Sequence, residues 1–177
     1  VGKTTMARIL RRKIQCSEMD FQEINAAERR GIDTVRDIQQ RMGLAPMGGK
    51  ARCWVLDEAH KLTGDAQVAL LKVLEDPPDH VWFFLCTTDP AKLIKTIHTR
   101  CTEIRLGALT QKDVERVMAE ALKALNRSSS LSVIQKIAES ADGSVRDAVK
   151  NLDFVHRAGI ETVEQYIELT GQKDVGP

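Results

Sequence analysis

The sequence predicts an α/β fold: a parallel sheet flanked by helices, followed by a small all-helical domain. Three observations lead there. Residues 53–60 read C-W-V-L-D-E-A-H, an apolar run with a β-branched valine that ends in two carboxylates. A buried parallel strand looks like this where it emerges at the ligand-binding edge of its sheet. Residues 81–86, V-W-F-F-L-C, form a second such run. From Thr110 onward the periodicity is helical with no strand between segments, so a second domain is expected.

Composition bounds the function. With 177 residues, 42% hydrophobic and 29% charged, the chain can bury a real core and is not disordered. Lys and Arg number 26 against 25 Asp and Glu, a formal net charge of +1. No global basic field announces nucleic acid or an anionic membrane, so any DNA contact must come from a local patch. Cys16, Cys53, Cys86 and Cys101 make no C-x-x-C pair, so zinc-ligand spacing is absent. Cys53 and Cys86 lie in strand-like runs and read as buried free thiols, which suits a reducing cytosol. Neither a signal peptide nor a bilayer-spanning apolar run is present, and no membrane partner is expected.

The chain begins V-G-K-T-T and continues into a helical M-A-R-I-L-R-R-K. Gly-Lys-Thr at a helix start matches the second half of a phosphate loop, in which backbone N–H groups cradle phosphates. Lys3 would reach the β and γ phosphates and the Thr4 hydroxyl would ligate Mg2+. The motif's first glycine would precede residue 1, so the chain is expected to be a fragment lacking its first strand and half of the loop. Next come a short strand at 21–24 and a helix at 32–42, whose apolar face is Ile32, Val35, Ile38 and Met42. Arg36 and Arg41 stand off that face, either solvated or in contact with phosphates. Pro46, Gly48 and Gly49 mark a loop into the central strand.

At the end of that strand Asp57 can hold Mg2+ and Glu58 can orient a water for attack on a phosphate. Thr63 is a candidate N-cap for a helix with Ala66, Leu70 and Leu74 on one face, which Pro77 and Pro78 end. Thr88, at the end of the next strand, would either hydrogen-bond the attacking water or the γ phosphate, or cap the helix that follows. A short helix is expected at 91–97 and a last strand at 102–106. Arg100 before it is either a surface residue or a finger reaching a neighbouring subunit's nucleotide. Helices are expected at 110–125, 131–140, 144–158 and 162–169. Arg146 lies in the first turn of the third, where a cation opposes the helix dipole and so hints at a use other than stability.

The ordered set G-K-T-T, N-A-A-E-R-R-G-I-D-T-V-R, V-L-D-E-A-H, L-L-K-V-L-E-D-P-P-D-H-V-W-F-F-L-C-T-T-D-P, H-T-R-C and G-S-V-R-D-A resembles the AAA+ ATPase subunits of sliding-clamp loaders. It is similar to the gamma/tau subunits of bacterial DNA polymerase III, to small subunits of replication factor C and to phage loaders. The resemblance implies a P-loop AAA+ core over 1–108, a helical lid over 109–171 and a tail or linker at 172–177. Gly2, Lys3, Thr4 and Thr5 would end Walker A, and Asp57 and Glu58 would form Walker B. Thr88 would be sensor 1, Arg100 the trans-acting arginine and Arg146 sensor 2. Arg36, Arg41 and Lys72 would line a chamber for primer-template DNA.

The expected cofactors are ATP and Mg2+, with no zinc. The expected partners are other loader subunits in a ring-like oligomer, the sliding clamp and primer-template DNA, in a bacterial cytoplasm or nucleoid or a phage-infected cell. A non-hydrolysing scaffold subunit and another AAA+ motor, such as a helicase loader, are the alternatives. Two features depart from the gamma/tau pattern: the four-cysteine zinc module after the first helix is missing, and Thr99 replaces the serine of S-R-C.

Overall fold

A computed structural model describes residues 2–171, which divide after Arg105 into two compact units. The tail expected at 172–177 lies outside the described residues. The first unit holds a three-stranded parallel sheet in the order β1 (Cys16–Asn25), β2 (Ala51–Asp57), β3 (Val81–Leu85). Parallel neighbours need crossover helices, and here α2 (Ile32–Met42) links β1 to β2 and α3 (Gly64–Glu75) links β2 to β3.

The central strand reads as a continuous apolar run because it is covered on both faces. Cys53, Trp54, Val55 and Leu56 are fully buried. Trp54 and Leu56 join Val35 and Ile38 of α2 and Ala66, Leu70 and Val73 of α3 in one core. Val55 packs on the other side with Cys86 and with Ala7 of α1 (Lys3–Lys13). The Trp54 ring stacks on Phe83 at 5.6 Å, and its indole N–H donates to Gln22 Oε1 at 3.2 Å, which satisfies its one polar atom.

The strand expected at 21–24 starts earlier, at Cys16. Its first half, C-S-E-M-D, lacks alternation because the register shifts between Cys16 and Phe21. Asp20 in this irregular part is 1% exposed, and it accepts the Met47 N–H (2.8 Å), the Gly48 N–H (2.9 Å) and the Ser17 hydroxyl (2.7 Å). Arg52 pairs with it at 3.4 Å. The loop before β2 is thereby strapped down, and Gly49 passes so close that a Cβ there would sit 2.2 Å from Gln15 O.

Burial by itself would raise the Asp20 pKa, but the Gly48 and Met47 N–H groups, Ser17 and Arg52 outweigh it and hold the carboxyl below its ordinary 3.8. A depressed folded pKa gives stability that is present above 3.8 and lost as pH falls through the folded value. Asp20→Ala, which strands Arg52, is expected to cost about 3–5 kcal/mol at pH 7. Urea titrations at pH 7 and at acid pH check this: the gap between wild type and variant should narrow below pH 3.8.

Two expected elements differ in the structure. Residues 91–97 do not form one helix; a 3-10 turn at Pro90–Lys92 and a single-turn α4 (Lys95–His98) flank an extended Leu93 and Ile94. Buried Gln67 is the physical reason. Its side chain accepts the Ile94 N–H at 2.9 Å and donates to Lys92 O at 3.3 Å and Leu62 O at 3.2 Å, replacing bonds a helix would make. Residues 102–106 form no strand. A strand exists by pairing, and this segment has no ladder partner among the described residues; Ile104 is 61% exposed.

The second unit is helical: α5 (Gln111–Ala124), α6 (Leu131–Ser140), α7 (Val145–Ala158) and α8 (Val163–Thr170). Val114, Met118, Ile137, Ala148, Leu152 and Tyr166 form its core. Thr110, Ser144 and Thr162 cap α5, α7 and α8 through their hydroxyls. Gly143 has φ +72°, and a Cβ there would lie 2.6 Å from Leu109 O. No helix among the described residues is long and apolar enough to cross a membrane.

Candidate active site

The carboxyl edge of the parallel sheet gathers the candidate residues. Asn25 ends β1 opposite Asp57, and Leu56 pairs with Leu85, so the residues after β2 and β3 emerge side by side. The Cys86 N–H donates to Leu56 O and the Ala59 N–H to Cys86 O, both at 2.9 Å, which stitches the two strand ends together.

Gly2, at φ 83°, stands in the left-handed region as the N-cap of α1, and no side chain caps the helix. The Met6 N–H is bonded to Gly2 O at 2.8 Å, so the N–H groups of Lys3, Thr4 and Thr5 have no intrahelical acceptor. Such a terminus favours an anion. Lys3 is half-buried, and Thr5 is exposed. The Thr4 hydroxyl donates to Asp57 Oδ2 at 3.1 Å. This bond joins the start of α1 to the end of β2 across 53 residues of sequence. A hydroxyl and a carboxylate oxygen in contact fit a hard divalent cation such as Mg2+, which takes oxygen ligands. Among the described residues no group of three or more His, Cys, Asp or Glu side chains could hold a metal ion.

Glu58 adopts φ 52°, ψ 40°, a left-handed conformation that costs a non-glycine residue about 1–3 kcal/mol. The Thr88 hydroxyl donates to Glu58 Oε2 at 3.3 Å. Thr88 caps no helix: the N-cap of the turn at Pro90–Lys92 is Asp89, with no side-chain cap bond, and the Asp89 N–H goes to Thr87 Oγ1 at 3.0 Å. Burial first, then the Asp57 charge, pushes the Cys86 thiol up to about 11, so it stays protonated at neutral pH and supplies no nucleophile.

The other candidates of the first unit make no bond to this cluster. Arg100 donates to Thr96 O at 3.1 Å and pairs with Glu75 at the end of α3. Arg36 pairs with Asp33 and Arg41 with Asp37, each at 3.0 Å on its own exposed helical face; Lys72 is exposed on α3. Arg146 is exposed in the first turn of α7 and makes no ion pair among the described residues. Sequence reasoning missed His60 and Thr87, which stand beside Glu58 and touch each other at 3.0 Å. Their signal was adjacency: His60 follows D-E-A directly, and Thr87 precedes Thr88.

The profile of a family described as "DNA polymerase III, delta subunit" matches residues 3–110. The gamma subunit of DNA polymerase III from Buchnera aphidicola subsp. Schizaphis graminum is 32% identical over 174 residues, 86% of this chain and 48% of that protein. The tau subunit from Escherichia coli K12 is 33% identical over 180 residues, 90% of this chain and 28% of that one. The chain therefore spans half or less of the length of these relatives.

Among solved structures, the RuvB Holliday junction branch migration motor of Thermotoga maritima aligns with TM-score 0.76 at 17% identity, over 96% of this chain and 58% of that one. A DNA polymerase III gamma subunit-related protein from the same organism aligns with TM-score 0.55 at 20% identity, over 91% and 54%. At these identities the likeness shows the fold alone, a P-loop AAA+ arrangement.

Proposed function

The chain belongs to the DNA polymerase III delta-subunit family, and on that premise we propose that it is an ATP-hydrolysing motor subunit of a sliding-clamp loader. The observation that carries the reading is the meeting of Thr4, Asp57, Glu58 and Thr88 at one sheet edge, at the N-terminus of α1. The helix start and Lys3 would bind the phosphates of ATP. Mg2+ would be held by Thr4 and Asp57 and would supply charge neutralisation across the phosphates. Glu58 would orient the attacking water and take its proton, and Thr88 would fix the Glu58 carboxylate. Arg100 would act on a neighbouring subunit's nucleotide, and Arg146 would act from the helical unit, serving as a lid.

In this reading ATP favours an assembled, clamp-binding ring that grips primer-template DNA, and hydrolysis releases it. Arg36, Arg41 and Lys72 are the proposed DNA contacts, the two arginines once their exposed pairs exchange carboxylate for phosphate. The compartment would be a cytoplasm. Clamp binding by the intact protein with its partner subunits tests the reading: affinity should be at least tenfold higher with a non-hydrolysable ATP analogue than with ADP. Equal affinity in the two states would favour a non-hydrolysing scaffold.

A further inference from the structure

We propose that His60, seated on Thr87, is a positioning residue that fixes the carboxylate of Glu58 by one oxygen and leaves the other to the water. The inference deepens the reading of Glu58 as the water-activating group and rests on it.

The His60 side chain is 5% exposed, so both ring nitrogens need partners. Nδ1 lies 3.0 Å from Thr87 Oγ1 and Nε2 lies 3.4 Å from Glu58 Oε2. The tautomer follows from Thr87. Its oxygen already accepts the Asp89 N–H, and its proton has no other acceptor among the described residues, so it goes to Nδ1. The ring proton then sits on Nε2, facing Glu58. A chain results: the Asp89 N–H donates to Thr87, Thr87 donates to His60, and His60 presents its N–H to Glu58 Oε2.

Thr88 donates to that same oxygen at 3.3 Å, whereas Oε1 has no hydrogen-bond partner among the described residues. With the Thr88 hydroxyl bonded to Oε2 and His60 Nε2 standing 3.4 Å from the same oxygen, the carboxylate is turned so that Oε1 is the free acceptor for a proton. The turn carrying His60, Ala59–Lys61, is tied to the end of β3 through the Ala59 N–H and Cys86 O, so the imidazole is a fixed strut. Glu58 approaches the ring from a left-handed backbone, a strained conformation for a residue that is not glycine.

The test is steady-state hydrolysis and nucleotide affinity for the intact protein with its partner subunits, carrying His60→Leu, His60→Gln or His60→Asn. His60→Leu should lower kcat roughly 10- to 100-fold, the range for a misplaced reacting group, with ATP affinity and melting temperature little changed. His60→Gln, whose amide reaches as far as Nε2, should restore most of kcat; His60→Asn, whose amide reaches only toward Thr87, should not. On a Glu58→Gln background His60→Leu should have no further effect.

Wild-type kcat in His60→Leu overturns the proposal, and so does an equal loss in all three variants accompanied by lost ATP affinity and lower melting temperature. Glu58→Gln run in parallel separates the two claims. If it is inactive while His60→Leu is fully active, only the role of His60 fails; if Glu58→Gln itself turns over normally, the underlying reading fails.

Discussion

Glu58→Gln is expected to leave nucleotide affinity within about twofold while slowing ATP hydrolysis roughly 10²- to 10⁴-fold, the contribution of a positioned general base. Glutamine keeps the shape of the side chain and an oxygen able to accept from Thr88, so the left-handed backbone at residue 58 and the stitch between the ends of β2 and β3 should survive. What disappears is the acceptor for the water's proton. In the proposed reading phosphate binding would depend on other groups, namely the free N–H groups of α1, Lys3 and the Thr4–Asp57 pair. Binding and turnover should therefore separate, with clamp binding trapped in its ATP-dependent state. Fluorescent-nucleotide titration and phosphate release, measured on the same preparation, check both halves.

Arg100→Ala should have an effect at least as large, roughly 10³- to 10⁵-fold on turnover of the assembled protein, the range for an arginine finger. In the single chain this guanidinium is kept on its own subunit, by Thr96 O and by Glu75, and it takes no part in the Glu58 cluster. Its side chain is nonetheless 30% exposed, near the surface where a neighbour could receive it. Arg100→Lys distinguishes charge from geometry. An ammonium keeps the charge but not the planar fork, so it should recover little. Light scattering should show the same assembly for both variants, since a surface pair such as Glu75–Arg100 contributes little to stability. Turnover within threefold of wild type in assembled Arg100→Ala would place Arg100 outside the chemistry.

Much of the core was legible because its signals are local. β2 had to be apolar on both faces to lie at the centre of a parallel sheet, and Thr63 announced a helix start with a hydroxyl that the structure shows accepting the Ala66 N–H. What was not legible depends on partners distant in sequence. Gln67 breaks the helix expected at 91–97 from 25 to 27 residues away. Asp20 reads as a surface residue in C-S-E-M-D until Met47, Gly48 and Arg52 close over it. Residues 102–106 have the composition of a strand, but composition supplies no neighbour to pair with.

The same distinction divides the site. The carboxylates were evident from the strand they end, and Thr88 was placed at the edge of the sheet with its role left between two alternatives. The geometry joins the Thr88 hydroxyl to Glu58 and shows no side-chain cap on the turn at Pro90–Lys92. His60 was missed as a contributor because adjacency to D-E-A was its one signal in the sequence. Only the fold shows that its two nitrogens face Thr87 and Glu58.

The central claim is that this site hydrolyses ATP in the service of loading a clamp. The most direct measurement is the ATPase rate of the intact protein with its partner subunits, taken alone, with sliding clamp, with primed DNA, and with both. The account predicts that clamp and primed DNA together raise the rate well above either alone, and that Glu58→Gln abolishes the increase. A rate indifferent to the clamp would contradict it in favour of another AAA+ motor, and no hydrolysis under any condition would contradict it in favour of a scaffold.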